Sequence, residues 1–467
     1  MNKKQMSEQD IRTKYITPAI LAAGWDRDLQ IREEVSFTKG KITVRRKIVK
    51  RGEQKRADYI LYWKPNIPLA IVEAKDNNHN IADGMEQALN YAEILDIPFV
   101  FTSNGDGFSF YDKTAEHNVQ IELALDQFPS PEELWARYKK FKGITEASEK
   151  VVAQDYYYNP NDDRKPRYYQ CNAINRAVEA VASGQNRLLL TMATGTGKTY
   201  TAFQIIYRLW KSRTKKRILF LADRNVLVDD PMRKDFKFFN ADSNNRKMTK
   251  IRDKKVDKAY EVYFAIYQGV TGQVGFADTY KEFSPDFFDL IIVDECHRGS
   301  AKDDSAWRKI LEYFKNATQI GMTATPKETK DTSNSEYFGE PIYTYTLRQG
   351  IEDGFLAPYK VVRVGIDKDL EGYRPTKGKR DKYGIEIEDR EYNIKDYDKN
   401  LVLEKRTELV AKRVSDFLKK NNSRFAKAIF FCVDIDHAAR MAQALRNENG
   451  DLVRQNPKYV VQMTSGS

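Results

Sequence analysis

The fold is decided by two stretches of sequence, Leu188-Leu189-Leu190-Thr191-Met192-Ala193-Thr194-Gly195-Thr196-Gly197-Lys198-Thr199 and Leu290-Ile291-Ile292-Val293-Asp294-Glu295-Cys296-His297. Each begins with an apolar run that is typical of a buried parallel strand, and each then turns polar. The glycines of the first stretch allow a tight loop, and a helix is predicted to begin near Lys198. Such strands, alternating with helices, predict an α/β fold with a doubly wound parallel sheet.

The loop after the first strand has the composition of a phosphate cradle. In such a loop the backbone N–H groups and the N-terminus of the next helix attract an anion. Lys198 is placed to reach the β- and γ-phosphates of a nucleotide, and the Thr199 hydroxyl is placed to bind Mg²⁺. The other loop residues predicted to contact the nucleotide are Thr194, Gly195, Thr196 and Gly197.

The second stretch supplies the acids that phosphoryl transfer needs. Asp294 is predicted to hold Mg²⁺ through water, Glu295 to polarise the attacking water, and His297 to lie at the nucleotide cleft. Glycine-rich loops and Asp-Glu pairs also occur by chance, but here both follow apolar strands in the required order. We therefore predict nucleoside triphosphate and Mg²⁺ as cofactors.

The motifs of this region resemble those of superfamily 2 helicases. Met192 stands where the general phosphate loop has its first glycine, and the shorter, threonine-rich loop is the one seen in that superfamily. The resemblance implies that Gln170 reads the adenine edge of ATP. It also implies that Thr323 and Thr325 couple hydrolysis to movement, whereas in isolation they would be ordinary turn hydroxyls.

The chain from Arg56 to Lys75 is predicted to form a β-hairpin with its turn at 64–67. The residue numbers at opposite positions of an antiparallel pair add up to a constant, and this places Asp58 opposite Glu73. Lys75 lies two residues after Glu73 and therefore faces the same side. Two carboxylates can hold Mg²⁺ against a phosphodiester, and a nearby lysine can orient or activate water.

This arrangement resembles the core of PD-(D/E)xK nucleases. On an exposed strand Glu73 and Lys75 would be a solvated ion pair, but here they end an apolar run. A predicted helix follows with Gln87 and Tyr91 on one face, and the resemblance implies that both support the active site or DNA. The alternative is that Tyr91 is a core aromatic and Gln87 a surface residue.

A nuclease followed by a superfamily 2 motor resembles the R subunit of a type I restriction endonuclease. The resemblance implies cleavage and ATP-driven translocation of double-stranded DNA, with modification and specificity subunits as partners. We predict a nuclease-like domain at 1–145, a linker at 146–164, a first RecA-like lobe at 165–345, and an incomplete second lobe at 346–467.

The second lobe is expected to contain strands at Ala428–Val433 and Tyr459–Met463. Motors of this class take arginine fingers from late in that lobe, and no arginine-rich closing motif precedes Ser467. The expectation is that this chain binds ATP but turns it over poorly and does not translocate DNA.

Charge and composition agree with a polyanionic partner. The 467 residues carry a formal net charge of +11, and nine basic residues fall between Lys39 and Arg56, just before Asp58. The three cysteines have no zinc-site spacing, and no apolar segment predicts a signal peptide or a membrane span, so a cytoplasmic protein is expected.

Two other functions stay open at the level of sequence. One is a helicase whose N-terminal domain binds nucleic acid without cutting it, so that Asp58→Ala would change no activity. The other is a non-enzymatic assembly piece that docks to methyltransferase subunits, which would show co-purification without Mg²⁺-dependent cutting.

Overall fold

The computed structural model describes residues 2–45, 48–116, 120–242, 246–251, 256–266, 279–296, 301–324, 328–329, 332–333, 337–363, 373–380, 386–392 and 404–464. These residues form two compact units, Met1–Tyr359 and Lys360–Ser467. The first unit contains two large sheets. The nuclease-like and motor-like parts of the sequence therefore belong to one compact unit, while the predicted domain boundaries remain predictions.

The first sheet has six strands in the spatial order β1-β4-β5-β6-β7-β8. Only β5 and β6 are parallel, and the other neighbours in the sheet are antiparallel. β2 and β3 form a separate antiparallel ribbon in the connection from β1 to β4. In chain order the strands are β1 (Ile31–Ser36), β2 (Ile42–Arg45), β3 (Ile48–Arg51), β4 (Arg56–Lys64), β5 (Ile67–Ala74), β6 (Phe99–Ser103), β7 (Gly107–Asp112) and β8 (Gln120–Ala124).

Near its N-terminus the chain forms a helical segment from Glu8 to Ala22 that is not uniform. It consists of α1 (Glu8–Ile11), a π-helical turn at Arg12–Ile16, and α2 (Thr17–Ala22). Ser7 caps its start through the backbone N–H of Asp10, and Gly24 follows its end with φ +97°. Three more helices surround the sheet: α3 (Met85–Leu95), α4 (Pro131–Lys142) and α5 (Glu146–Val152).

The second sheet has seven strands, all parallel, in the order β11-β12-β10-β13-β14-β9-β17. Its strands are β9 (Arg187–Met192), β10 (Ile218–Ala222), β11 (Met248–Lys250), β12 (Val262–Ile266), β13 (Leu290–Asp294), β14 (Thr318–Thr323) and β17 (Pro341–Tyr345), and a small pair, β15 (Glu328–Thr329) and β16 (Thr332–Ser333), stands apart. The associated helices are α6 (Tyr168–Ala182), α7 (Lys198–Lys211), α8 (Val226–Arg233), α9 (Ala301–Tyr313) and α10 (Leu347–Glu352).

Apolar clusters cover both faces of this parallel sheet. One face packs against α6 and α7, where Ile174, Val178 and Phe203 are buried, and the other packs against α9 through Trp307 and Leu311. Burial on both faces explains why the strands are continuous apolar runs rather than alternating ones. The predicted α/β fold with a parallel sheet is confirmed.

The second unit contains helices α11 (Glu404–Lys420), α12 (Ile435–Glu448) and α13 (Gly450–Gln455). The strands predicted at Ala428–Val433 and Tyr459–Met463 are wrong, because neither segment is paired as a strand. Ile429 and Phe431 are 82% and 88% exposed, respectively. A parallel strand needs neighbours to accept and donate its backbone hydrogen bonds, and within the described residues of this unit no such strand is available.

Cys296 is buried, and Cys171 and Cys432 are partly buried. Across the described ranges, no group of three or more His, Cys, Asp and Glu side chains is arranged to hold a metal ion. A helix with both the length and the apolar character for crossing a bilayer is likewise lacking among the residues that the structure describes.

Candidate active sites

The β4–β5 hairpin brings the predicted nuclease residues together. Tyr59 pairs with Val72, which continues to Asp58 opposite Glu73 as predicted. The turn is tighter than predicted, since the strands end and begin at Lys64 and Ile67. Two irregularities in pairing, one after Leu61 and one after Tyr62, compensate for each other and restore the register.

Asp58 is buried, with 7% of its surface exposed. Its Oδ2 accepts a hydrogen bond from the backbone N–H of Ala74 at 2.8 Å, which ties the carboxylate to the neighbouring strand. Its Oδ1 lies 3.6 Å from Nη1 of Arg12. One face of the Asp58 carboxylate is therefore positioned by the sheet and the other by a buried cation.

Glu73 is the most strongly perturbed acid of this site. Burial, followed by the charge of Asp58, raises the pKa of Glu73 to about 7, and Lys75 opposes the shift. Its Oε1 accepts hydrogen bonds from Lys75 Nζ at 3.2 Å and Gln87 Nε2 at 2.5 Å. Its Oε2 is buried and has no hydrogen-bond partner among the described residues. A buried acceptor without a donor is costly, so this oxygen is available to a cationic ligand.

Gln87 and Tyr91 of α3 both lie close to Glu73, and the supporting role predicted for them stays a prediction. Gln87 donates to Glu73, and Tyr91, one turn further along, is partly buried. Burial and then the Glu73 carboxylate raise the pKa of Tyr91, while a hydrogen bond to Gln87 opposes the shift. Gly84, at the start of α3 with φ +90°, leaves room for Lys75, because a Cβ there would lie 3.0 Å from Lys75 Cε.

Three residues at this site escaped sequence reasoning. Arg12, 2% exposed, pairs with Glu34 and stacks on the Tyr59 ring at 4.8 Å. Burial acts to lower the pKa of Arg12, but hydrogen bonds to Tyr59 and Glu34 outweigh this effect, so the pKa is raised overall. Glu8, in the first turn of α1, has its pKa raised by burial and then by Asp58.

A sequence signal existed for one of these residues. Arg12 lies four positions before Ile16, so a charge falls on the apolar face of the N-terminal helical segment. Glu34 offers no such signal, because its φ of +54° is a property of the folded strand that a glutamate rarely adopts. Its position in β1 is opposite Asp58, which follows from the pairing of Glu33 with Tyr59 and of Val35 with Ala57.

The phosphate-type loop connects β9 to α7 as predicted. Gly195 and Gly197 both have φ +84°, which favours glycine. Thr194 is exposed, Thr199 is partly buried, and the Thr196 hydroxyl donates to the Ala193 carbonyl at 2.6 Å. The loop is thus held from within while Thr194 faces solvent.

Lys198 is buried and ion-paired. Its Nζ lies 3.1 Å from Glu295 Oε1 and donates to the Met192 carbonyl at 3.3 Å. Burial, followed by the charge of Glu295, raises the pKa of Asp294 to about 6, and Lys198 opposes the shift. Glu295 has φ +54°, a sharp turn directly after β13. Lys198, Asp294 and Glu295 are therefore brought together at the carboxyl ends of the parallel strands.

Gln170 contacts the loop rather than an open space. Its Nε2 donates to the Thr196 carbonyl at 2.8 Å, and its Oε1 accepts from the Arg167 backbone N–H at 3.0 Å. A Cβ on Gly197 would lie 2.5 Å from Gln170 Nε2. Both ends of the Gln170 amide are engaged within the chain, and its adenine-reading role stays a prediction.

The remaining predicted residues of the motor are only partly described. Thr323 is fully buried at the end of β14, where it pairs with Thr191 of β9. Asp294, the last residue of β13, pairs with Met322 of β14. Thr323 follows Met322 in the chain and therefore lies next to the turn that carries Asp294 and Glu295. His297 and Thr325 lie outside the described residues.

Two family models match the chain. Residues 163–328 match the model described as "Type III restriction enzyme, res subunit", and residues 29–129 match "Type I restriction enzyme R protein N terminus (HSDR_N)". The first match covers β9 to β14 with the loop at Gly195. The second covers all of β1 to β8. The two sheets therefore correspond to two separately recognised regions.

Similar proteins span the whole chain. The "Type I restriction enzyme EcoAI endonuclease subunit" of Escherichia coli is 56% identical over 99% of this chain and 57% of its own length. The EcoKI endonuclease subunit of Escherichia coli strain K12 is 26% identical over 85% of this chain and 39% of its own length. The chain thus spans about half the length of these relatives.

A solved structure is also similar to nearly the whole chain. A fragment described as an HsdR subunit of a type I restriction enzyme from Vibrio vulnificus YJ016 has a TM-score of 0.74 and 40% identity. The match covers 97% of this chain and 77% of the fragment. The similarity therefore extends over both sheets and both sites.

Proposed function

Because this chain belongs to the family of type I restriction enzyme endonuclease subunits, we propose that it carries both a DNA-cleaving site and an ATP-binding site. The cleaving site is assigned to the six-stranded sheet and the ATP site to the seven-stranded sheet. Double-stranded DNA is the substrate, and the modification and specificity subunits of the same system are the partners. The domain limits proposed are 1–145, 165–345 and 346–467, with a linker between the first two.

The carrying observation is the Glu73 carboxylate. Its Oε2 is buried without a partner, while its Oε1 receives Lys75 and Gln87. Asp58 lies in the opposite register position, so two carboxylates face one another across the hairpin. Mg²⁺ is commonly bound by one or two carboxylates together with substrate phosphates rather than by a full protein cage. The residues present fit this metal, and we assign Asp58 and Glu73 as its protein ligands.

Two side chains, Lys75 and Gln87, prepare the metal site for phosphodiester hydrolysis. Bound Mg²⁺ would supply charge stabilisation for the phosphate under attack. Lys75, 3.2 Å from Glu73, is placed to orient a water molecule and to hold its position by hydrogen bonding. Gln87 fixes Glu73 through a 2.5 Å hydrogen bond, which keeps the second carboxylate oxygen directed away from Lys75. This is the PD-(D/E)xK arrangement.

The ATP site uses the loop between β9 and α7. Gly195 and Gly197 let the backbone curve around phosphates, and the N-terminus of α7 favours their negative charge. Lys198 would bind the β- and γ-phosphates, for which it exchanges its present Glu295 contact. Glu295 is then released to orient water, and Thr199 and Asp294 are the proposed Mg²⁺ ligands. Gln170, Thr194, Thr196 and His297 complete the proposed nucleotide contacts, with Thr323 and Thr325 as coupling residues.

Plasmid cleavage tests the nuclease assignment. The full chain, incubated with Mg²⁺ and supercoiled DNA in the absence of nucleotide, is compared with Asp58→Asn. We expect Asp58→Asn to reduce cleavage at least about 1000-fold, since a metal ligand supplies several kcal/mol of transition-state stabilisation. The ATP affinity of the variant should remain unchanged. Asp126→Asn, at an exposed carboxylate of the same domain, is the matched control. Cleavage by Asp58→Asn at the wild-type rate would contradict the assignment.

A further inference from the structure

The ribbon formed by β2 and β3 leaves the sheet between β1 and β4. Its strands pair as Thr43 with Lys50 and Val44 with Val49. Val44 and Val49 are 53% and 66% exposed, so this apolar pair is not part of a core. A solitary two-stranded ribbon is marginally stable in water, so its exposure calls for another role.

The charge of the ribbon and its flanks is almost entirely of one sign. Residues 39–56 contain nine Lys and Arg residues and a single acid, Glu53. Lys39 and Lys50 are exposed, and neither is ion-paired among the residues that the structure describes. Exposed unpaired cations on an extended arm are complementary to a polyanionic backbone.

The base of the ribbon is fixed to the part of the chain that follows the parallel sheet. The Lys39 N–H donates to the Asp353 carbonyl at 2.8 Å. Arg51 Nη1 donates to the carbonyls of Lys39 and Gly354, at 3.0 and 3.3 Å. A Cβ on Gly354 would lie 2.0 Å from the Gly40 carbonyl oxygen, so the two backbones touch where only glycine fits. The arm is therefore held at its root rather than swinging freely.

The base of the ribbon, where Lys39 and Arg51 contact Asp353 and Gly354, also links the ribbon to both candidate sites. The Asp353 carboxylate accepts hydrogen bonds from the hydroxyls of Tyr345, at 2.7 Å, and Tyr168. Tyr168 begins α6, the helix whose Gln170 contacts the phosphate loop. At its other end the ribbon runs through a few residues into β4, which carries Asp58. A molecule bound along the arm is held in a fixed relation to the cleaving site and the motor sheet.

We propose that the β2–β3 ribbon is a contact arm for the phosphate backbone of double-stranded DNA. This inference rests on the proposed function, since it assigns the arm the DNA on which that function acts. Lys39 and Lys50 bind phosphates, and the rooted base keeps the duplex beside the Asp58 site while the motor lobe engages it. The cleaving site alone is not sufficient for this, because Asp58 and Glu73 are buried and repel phosphate unless a cation is bound.

Duplex binding without catalysis tests the arm. The full chain is titrated against a fluorescent DNA duplex in EDTA, without nucleotide, at several salt concentrations. Lys39→Gln with Lys50→Gln should weaken binding about tenfold at low salt. It should also reduce the slope of log K against log salt by about 2, because each phosphate contact contributes about 0.9. Lys140→Gln with Lys150→Gln removes the same charge from exposed helical positions and should leave the slope unchanged.

A truncated arm gives an independent variant. Residues 42–51 are replaced by Asn-Gly, a dipeptide suited to joining paired strands, so that the 2.8 Å hydrogen bond from Gly52 N–H to Lys41 O closes the shortened turn. Duplex affinity should fall at least as far as in the double lysine variant, with an unchanged circular dichroism spectrum. Wild-type affinity in both the truncated and the lysine variants would overturn the proposal.

The two proposals fail in different ways. A chain that binds duplex through the ribbon but never cuts DNA with Mg²⁺ contradicts the nuclease assignment and supports the arm. A chain that cuts DNA but whose duplex affinity and salt slope ignore both ribbon variants contradicts the arm alone.

Discussion

The two candidate sites solve the same electrostatic problem from different starting points. Each holds a buried carboxylate whose pKa is raised by burial first and by a second carboxylate next, Glu73 to about 7 and Asp294 to about 6. Each also places a lysine close by, Lys75 and Lys198. In both, the acid is kept partly protonated by its surroundings, which a divalent cation would reverse.

The two sites differ in whether a carboxylate oxygen near the lysine is left without a hydrogen-bond partner. Lys75 and Gln87 both bind Oε1 of Glu73, so Oε2 has no partner among the described residues. Lys198 is instead paired with Glu295 and the Met192 carbonyl. The proposed nuclease site therefore keeps a buried carboxylate oxygen for a cation although Lys75 is already ion-paired with Glu73, whereas Lys198 of the proposed motor site must exchange its Glu295 pair when phosphates arrive.

Among the variants that compare the two sites, the largest effect on ligand binding is expected at Lys198. Lys198→Ala should weaken the binding of a fluorescent ATP analogue about 100-fold, because a buried charged partner contributes about 2–5 kcal/mol. Lys211→Ala, an exposed residue in the last turn of the same helix, is the control. Equal affinities for Lys198→Ala and the wild type would show that the Glu295 pair is structural and that phosphates bind elsewhere.

The raised pKa of Glu73 predicts a pH-dependent cost to folding. The folded protein holds a proton on Glu73 between pH 4.5 and about 7 that the unfolded chain releases, so stability is lost as pH rises through that window. Above the window the cost is on the order of 3 kcal/mol. Glu73→Gln should therefore raise the urea midpoint at pH 8 in EDTA and leave it unchanged near pH 4.5.

The control for this measurement is Glu86→Gln, an exposed glutamate on α3. Its midpoint should track the wild type at both pH values. A Glu73→Gln variant that is no more stable than the wild type at pH 8 would mean that the Glu73 carboxylate is stabilised as an anion without a metal, which removes the contrast between the two sites.

Gln87 distinguishes the two sites, because a side-chain amide donates to the raised carboxylate Glu73 whereas the backbone N–H of Glu295 donates to Asp294. Gln87→Ala should reduce plasmid cleavage by about 10- to 100-fold, the usual range for a group that orients a metal ligand. The Mg²⁺ concentration for half-maximal cleavage should rise at the same time. Glu86→Ala on the same helix should cut at the wild-type rate, and a loss of that size in Glu86→Ala would point to general damage to α3.

Two glycines with the same backbone conformation test the motor loop. Gly197 and Gly184 have φ of +84° and +86°, and a Cβ meets Gln170 only at Gly197. Gly197→Ala should weaken ATP binding about tenfold, whereas Gly184→Ala incurs only the cost of the left-handed conformation, about 1 kcal/mol in stability. Similar ATP affinities in both variants would show that the Gln170 contact does not shape the loop.

The sequence predicted the parts of these sites that depend on local geometry. The Asp58 and Glu73 register follows from hairpin arithmetic, and the irregular pairing near Tyr62 did not disturb it because the two shifts cancel. The loop glycines were predictable because only glycine tolerates the conformation that the turn requires.

The parts that depend on distant segments were not predictable. Arg12 contacts Asp58, 46 positions away in the chain, from a π-helical turn. Glu34 contacts Arg12 from a strand in which it adopts a left-handed backbone conformation. The apolar pattern at Ala428–Val433 predicted a strand, but a strand is defined by its neighbours, and the described part of the second unit supplies none. The amino-acid composition of a segment does not show which distant residues or strands it will contact.

The central claim is that the chain holds two independent cation sites, one of which works without nucleotide. Its most direct test is calorimetric titration of the nucleotide-free full chain with Mn²⁺, as a probe for Mg²⁺, at pH 7.5. Wild type and Lys198→Ala should bind Mn²⁺ alike, while Asp58→Asn should lose that binding and still bind ATP. Unchanged Mn²⁺ binding in Asp58→Asn, or its loss in Lys198→Ala, would contradict the account.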